Sequence, residues 1–521
     1  MLPRRLVLCA RRGVRGAASA GLPGADIAAD LALFRRSAAG NKPGAVRKSW
    51  ASRRIAESIV SESSRGGNAA RAWAGSLLEA ADAASPSAGD AVLAEALQEA
   101  CTSSASGATA LLRMRGLALD VLRSSKRGGS PEQAERASRA AEALLPIVAH
   151  HYGPSSLRLR RVTWDGSTGR TLEQVAAAEA VHPTDRMWRF RQRFGPGRRC
   201  FALVHPAAAD DPVAVLHVAL TGRPAASMGD VNSAGSGSLL PRPIAAAHAA
   251  TGVAGREAAA GPARGDAADA VANFWSVSLC APGLRGLSTA RHLIYGAVEE
   301  LSGRGREPAA AGRFVTLSPV PGFARWAAEL GQPGADEARR GASAALDDGS
   351  CRALWAVRAE AADAALDAAA GVPEARSVAH SALRSAAEPE PAGAEGSLVV
   401  LLALLVRWQH AAARGGTASL PAIMSAGAAA AAEAGALRLC RWYLASGGVP
   451  RCPVANFHCG NGAVLWRVNW AANVTPKGLV ESFGVMVNYL YAPGRLEDRA
   501  AAFAAVARDE PLPVADPGEV P

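Results

Sequence analysis

The chain has 521 residues, of which 49% are apolar and 20% charged, and its formal net charge is +11. Such a length accommodates two or three domains with a sizeable core, and because alanine supplies much of the apolar count, the leucines and 11 tryptophans mark where packing energy concentrates. The arginines are scattered and not gathered in one block with interleaved aromatics, which argues against a nucleic-acid-binding protein.

The eight cysteines form no CxxC pairs and no regular spacing, so a disulfide scaffold is not expected and reduced intracellular thiols are. Cys452 and Cys459 flank His458, yet without a second cluster this is a poor zinc pattern, and no metal is expected.

Residues 1–25 include Arg4, Arg5, Arg11, Arg12 and Arg15, and no acid precedes Asp26. This pattern reads as an organelle presequence, with the mitochondrial matrix as first choice and chloroplast or cytoplasm as alternatives. The C-terminus, DPGEVP, lacks a Ser-Lys-Leu peroxisomal signal.

From Asp26 to Val181 the reading is helical, with apolar residues at helical spacing over Leu111–Leu122 and breaks at Ser85-Pro86, Gly128-Gly129 and Tyr152-Gly153-Pro154. Ser130-Pro131-Glu132-Gln133 reads as an N-cap, a proline in the first turn and a capping-box glutamine. Residues 26–184 are therefore expected to form an all-α helical bundle serving packing or assembly. No residue in it reads as catalytic.

Strands are expected at Cys200–His205 and Pro212–Leu220 around a turn at Asp210-Asp211. The Gly/Ala/Ser/Pro-rich stretch 225–270 reads as a mobile insertion. Next comes a strand (NFWSVSLC), a loop with Gly283 and Gly286, a helix carrying Leu293, Ile294, Ala297, Val298 and Leu301, and a second strand ending at Pro319. A strand feeding a glycine-bearing turn and then a helix aims free N–H groups at one spot, which suits a phosphate. Stretches 332–349 and 377–396 read as loops, Leu398–Val406 as a buried helix too short to span a membrane, and Ala428–Leu444 as another helix. Val464–Trp470 and Gly484–Tyr491 read as strands, and Asn461-Gly462 as a hairpin turn just after His458.

A serine at a strand end and a histidine beside a turn can form a nucleophilic pair. There is no G-x-S-x-G elbow and no evident acid, so a turn serine and a hydrogen-bonded core histidine remain open.

The segments RRCFALVHP (198–206), VAVLHVALTG (213–222), FWSVSL (274–279), GLRGL (283–287), TLSPVPGF (316–323), LRLCRWYL (437–444) and PVANFHCGNGAVLWRVNW (453–470) resemble the malonyl-CoA decarboxylase family. The resemblance implies an α+β protein: an N-terminal all-α helical bundle, then an acetyltransferase-like (GNAT) α/β catalytic domain, here 185–515 with the insertion at 225–270. It implies conversion of malonyl-CoA to acetyl-CoA and CO2 without metal or organic cofactor, because the thioester carbonyl accepts the electrons. Ser318 and His458 match the family's catalytic pair. His458 is expected as proton donor on the assumption of a near-ordinary pKa, with Ser318 orienting the carboxylate or sharing its hydrogen bond with His458. The stretch Arg285, Gly286, Leu287, Ser288, Thr289, Ala290 and Arg291 matches its CoA-binding segment, with Asn461 and Tyr491 as pocket-lining candidates. Some members carry glutamate where this chain has Ser288, which in turn suits a helix cap. The resemblance also implies homotetramers. A CoA-dependent N-acyltransferase and a catalytically inactive acyl-CoA sensor are the alternative readings.

Overall fold

The computed structural model describes residues 23–37, 42–64, 67–84, 89–103, 107–128, 130–179, 186–234, 270–305, 310–332, 334–362, 393–413, 423–446, 452–505 and 514. The arginine-rich leader to residue 22, residues 235–269 of the insertion and most of the expected loop 377–396 lie outside them. The chain is mixed α+β and divides into two units. The first runs to Arg158 and takes in two later pieces, His205–Ala209 and Ala281–Leu287; the second holds Leu159–Val204, Asp210–Cys280 and the chain from Ser288 onward.

Among the described residues six helices fill the first unit: α1 (Pro23–Ser37), α2 (Lys42–Ser63), α3 (Gly67–Ala84), α4 (Gly89–Ser103), α5 (Gly107–Ser125) and α6 (Pro131–His151). Helix α6 buries Ala137, Ala140, Ala141, Leu144 and Val148, a stripe at three- and four-residue spacing that faces α5. Leu144 and Val148 are fully buried, and each such side chain contributes about 2 kcal/mol. Ser130 and Pro131 do begin α6, but the serine hydroxyl makes no cap bond, so the capping box expected there is absent. In the second piece of later chain, Pro282–Leu284 forms a single 3-10 turn packed on α5.

The second unit is built on one mixed sheet in the order β1 (Arg158–Arg161), β2 (Arg198–His205), β3 (Ala208–Thr221), β4 (Val271–Leu279), β5 (Arg313–Thr316), β8 (Met486–Tyr491), β6 (Ser318–Pro319), with β7 (Val464–Asn469) also paired to β8. Strand β1 interrupts the stretch read as helical from Asp26 to Val181. Two short helices, α7 (Gly169–Ala178) and α8 (Met187–Arg191), precede β2. The expected turn at Asp210-Asp211 is displaced: both residues lie inside β3, and Asp211 accepts from Arg170 Nε at 2.5 Å and Nη2 at 2.9 Å. An ion pair with α7 for Asp211 and a hydrogen bond from Thr168 Oγ1 to Asp210 at 3.2 Å hold the two acids in a strand that turn propensity alone does not foresee.

Strand β4 is buried along most of its length, the near-continuous pattern of a strand covered on both faces. Its fully buried Asn273 is satisfied by Ala225 N–H at 2.7 Å and by donation to Ala219 O and Thr221 Oγ1. That contact corrects the start of the expected insertion. Ala225 is buried, and α9 (Met228–Ser233) follows with a complete Ser227/Asp230 capping box.

Strand β4 continues through the turn and α10 (Thr289–Leu301) to β5, which pairs with it in parallel. Beyond β6 lie α11 (Phe323–Leu330), α12 (Asp336–Ser343), α13 (Asp348–Ala356), α14 (Gly393–Ala413) and α15 (Ala426–Ala445). Helices α12 and α13 replace the loop expected over 332–349, Asp347 capping α13 by accepting from Ser350 N–H at 2.9 Å. The apolar run Leu398–Val406 lies within α14, and no helix among the described residues is long and apolar enough to cross a membrane.

Strands β5 and β6 pair with β8 in one antiparallel register: Phe314 faces Tyr491, Val315 faces Leu490, Ser318 faces Val487 and Pro319 faces Met486. Between them the ladder is broken. Leu317 N–H donates to Phe274 O on β4, while Thr316 Oγ1 accepts from Tyr489 N–H at 3.0 Å and Thr316 O accepts from the Asn488 side chain. Side chains thus replace ladder bonds at the interruption, and Ser318 emerges just beyond it.

Candidate active site

His458 lies on α16 (Pro453–Gly460), an eight-residue helix with a proline in its first turn. The expected hairpin at Asn461-Gly462 is not there. Asn461 is the C-cap of α16, and Gly462 (φ +84°) closes the helix before β7, with Ala463 N–H returning to His458 O at 3.0 Å. A Cβ on Gly462 would stand 2.1 Å from Leu496 O, so this position excludes a side chain for reasons of space as well as conformation.

The helix delivers His458 against β6 and β8. Its Nε2 lies 2.8 Å from Ser318 Oγ, and its Nδ1 lies 2.9 Å from the Tyr491 hydroxyl. Tyr489, two residues along β8 and hence on the same face, stacks on the imidazole with centroids 4.8 Å apart. Exposure is 5% for Ser318, 4% for His458, 0% for Tyr489 and 1% for Tyr491.

Burial pushes the His458 pKa down to about 3, and burial raises those of Tyr489 and Tyr491 well above the ordinary tyrosine value. The imidazole is therefore neutral at physiological pH, which overturns the expectation of a histidine with a near-ordinary pKa. A neutral imidazole donates from one nitrogen and accepts at the other. The array then runs in one sense at a time: Tyr491 to His458 to Ser318, leaving the serine proton free to point outward, or the reverse.

The family model for the malonyl-CoA decarboxylase C-terminal domain matches residues 155–370 and 416–508, more than half of the chain. The chain belongs to the malonyl-CoA decarboxylase family. It is 29% identical to the mitochondrial malonyl-CoA decarboxylase of Mus musculus and 30% identical to that of Rattus norvegicus, each over 351 residues, or 67% of this chain. It spans 56% of the length of either relative. Solved malonyl-CoA decarboxylases from Cupriavidus metallidurans and Agrobacterium vitis resemble it in fold, with TM-scores of 0.55 and 0.61 at 24% identity, covering 94% of this chain and 98% of theirs.

The stretch expected to hold CoA divides. Arg285, Gly286 and Leu287 belong to the first unit; Ser288, Thr289, Ala290 and Arg291 open α10 in the second. Gly286 has φ +87°, and Arg285 is half exposed, 3.8 Å from Asp120. Ser288 occupies the N-cap position without a side-chain cap bond. Arg291 Nη2 donates to Gly460 O at 2.7 Å, tying α10 to the end of the histidine-bearing helix. Asn461 turns away from the array and donates to Phe457 O at 2.7 Å within its own helix.

The family motifs do not include Tyr489, whose place is set by strand alternation from Tyr491. Nor do they include Asn488, which accepts from Arg467 Nε at 2.9 Å and Asn469 Nδ2 at 2.8 Å while donating to Ala225 O at 2.9 Å. Polar residues in an otherwise apolar strand, NY within GVMVNYLY, were the available signal.

Proposed function

We propose that the protein decarboxylates malonyl-CoA to acetyl-CoA and CO2, and the observation that carries this reading is the buried Ser318–His458–Tyr491 array in a chain of this family. The malonyl carboxylate leaves as CO2 with its bonding electrons passing to the thioester carbonyl, and the resulting enolate takes a proton at the α-carbon. Ser318 holds the carboxylate by a hydrogen bond and, once CO2 has gone, delivers its proton to that carbon. His458 Nε2–H replaces the serine proton while Nδ1 receives one from Tyr491, so the imidazole stays neutral, the charge of the enolate passes to the Tyr491 oxygen, and one proton taken from solvent after product release restores the tyrosine. Burial supports this reading in two ways: desolvation favours loss of the carboxylate charge, and it strengthens every fixed dipole aimed at the enolate.

In this reading Arg285–Arg291 hold the CoA pyrophosphate, the helices that precede Arg158 form the assembly domain of a homotetramer, and the sheet-bearing unit from Leu159 onward forms a GNAT-like catalytic domain. The relatives named as mitochondrial support a matrix location, with residues 1–25 as presequence. The test is incubation of the purified protein with malonyl-CoA, following acetyl-CoA by chromatography. The wild type is expected to convert it, and His458→Ala to lose about 10²- to 10⁴-fold in rate, the range for removal of a proton-transferring side chain. Binding of CoA without formation of acetyl-CoA would make the protein a sensor instead.

A further inference from the structure

The guanidinium of Arg115, on α5, is buried, yet among the described residues it meets no carboxylate. It donates to three backbone carbonyls: Nε to Ala141 O at 3.1 Å on α6, and Nη1 to Arg285 O at 2.9 Å and to Gly283 O. Desolvation lowers its pKa, but an arginine starts so far above neutrality that it stays charged. The turn Ala281–Leu287 is seated closely on α5. A Cβ on Gly283 would lie 2.1 Å from Leu112 O, and a Cβ on Gly116 would lie 3.2 Å from Gly283 N.

A buried cation without a counter-charge is costly, and three carbonyl dipoles offset only part of that. The carbonyls it engages have a second consequence. A peptide unit is planar and trans, so a carbonyl turned inward turns the next N–H outward. With Arg285 O fixed on Arg115, the N–H of Gly286 points away from α5, and the turn's own backbone bonds use Leu284, Arg285 and Leu287 N–H but not Gly286 N–H. An N–H with no partner among the described residues, above a fixed positive charge, suits a phosphate oxygen.

We infer that Arg115 is a positioning residue for the nucleoside diphosphate part of the substrate, setting the turn so that Gly286 N–H meets the pyrophosphate and adding a fixed charge beneath it. This rests on the proposed malonyl-CoA reading and deepens it, since the residue comes from a helix to which the sequence assigned no part in chemistry.

The experiment compares malonyl-CoA with malonyl-pantetheine, which carries the same reacting thioester without the diphosphate. Arg115→Met is expected to raise KM for malonyl-CoA about tenfold, the weight of one charge-assisted hydrogen bond, with kcat retained and malonyl-pantetheine turnover unchanged. Arg115→Lys, which keeps the charge but not the fork, falls between and carries the comparison if the methionine variant does not fold. Equal losses with both substrates would reduce Arg115 to a packing role, and an unchanged KM for malonyl-CoA would overturn the inference. Calorimetric binding of CoA against pantetheine requires no turnover, so it separates failure here from failure of the decarboxylase reading.

Discussion

A histidine flanked by two hydroxyls behaves differently from one flanked by a serine and a carboxylate. An acid at Nδ1 would hold an imidazolium; the Tyr491 hydroxyl at 2.9 Å does not, and with burial the His458 pKa falls to about 3. His458 can therefore pass protons along but does not store one. Tyr491→Phe is expected to leave Nδ1 unpartnered, cost about 1–2 kcal/mol of stability and slow turnover roughly ten- to a hundredfold. Steady-state rates beside a denaturant melt measure both, and full kcat in the phenylalanine variant would remove Tyr491 from the relay. Ser318 and His458 stand in motifs dense enough to pick out from the sequence. The pKa was not legible there, because desolvation comes from Tyr489 and other groups brought in by the fold.

At the scale of elements, the interrupted β5–β6 strand and the short helix α16 bring Ser318 and His458 together. Thr316 and Asn488 supply by side chain the bonds that the ladder lacks, so the strand parts locally without leaving those groups unpaired. Helix α16 depends on its terminus at Gly462. Gly462→Ala combines a left-handed backbone with an overlap on Leu496 O, and is expected to lower stability by about 3 kcal/mol or more and to reduce activity by displacing His458. Thermal denaturation of the variant tests this, and a midpoint matching the wild type would contradict it. Asn461-Gly462 reads as a hairpin because the same pair that favours a tight strand turn also favours a helix end. Only the burial of α16 decides between them. Most strands and helices were legible from periodicity, whereas α12 and α13 were obscured by small and charged residues of weak pattern.

For the whole molecule, burial of neutral imidazoles couples stability to pH. His458 is lowered to about 3, and desolvation also lowers His151, His205 and His292. A histidine depressed in the folded state takes up protons more readily when unfolded. Its stabilising effect is complete above the unfolded value of about 6.5 and is lost as pH falls toward the folded value. The slope from His458 reaches about 1.4 kcal/mol per pH unit within that window. The melting temperature is expected to fall between pH 7 and pH 5, and His458→Gln to flatten part of that fall; parallel curves for the two proteins would show that His458 is not the titrating group.

A helical part followed by a sheet-bearing part was legible in the sequence, but the boundary at Arg158 and the return of His205–Ala209 and Ala281–Leu287 to the first unit were not, since they rest on packing between residues far apart in the chain. Arg115 and the turn at Ala281–Leu287 illustrate this, and they also bear on biosynthesis. A nascent chain that has just completed α6 has α5 in place but lacks two of the three carbonyls that Arg115 engages. Those arrive only after β2, β3 and β4 have been made. The earliest helices to leave the ribosome must therefore wait for residue 287 before their packing is finished, and a chain ending at Arg158 would carry Arg115 without two of its three carbonyl partners and Gly116 without the turn that packs on it.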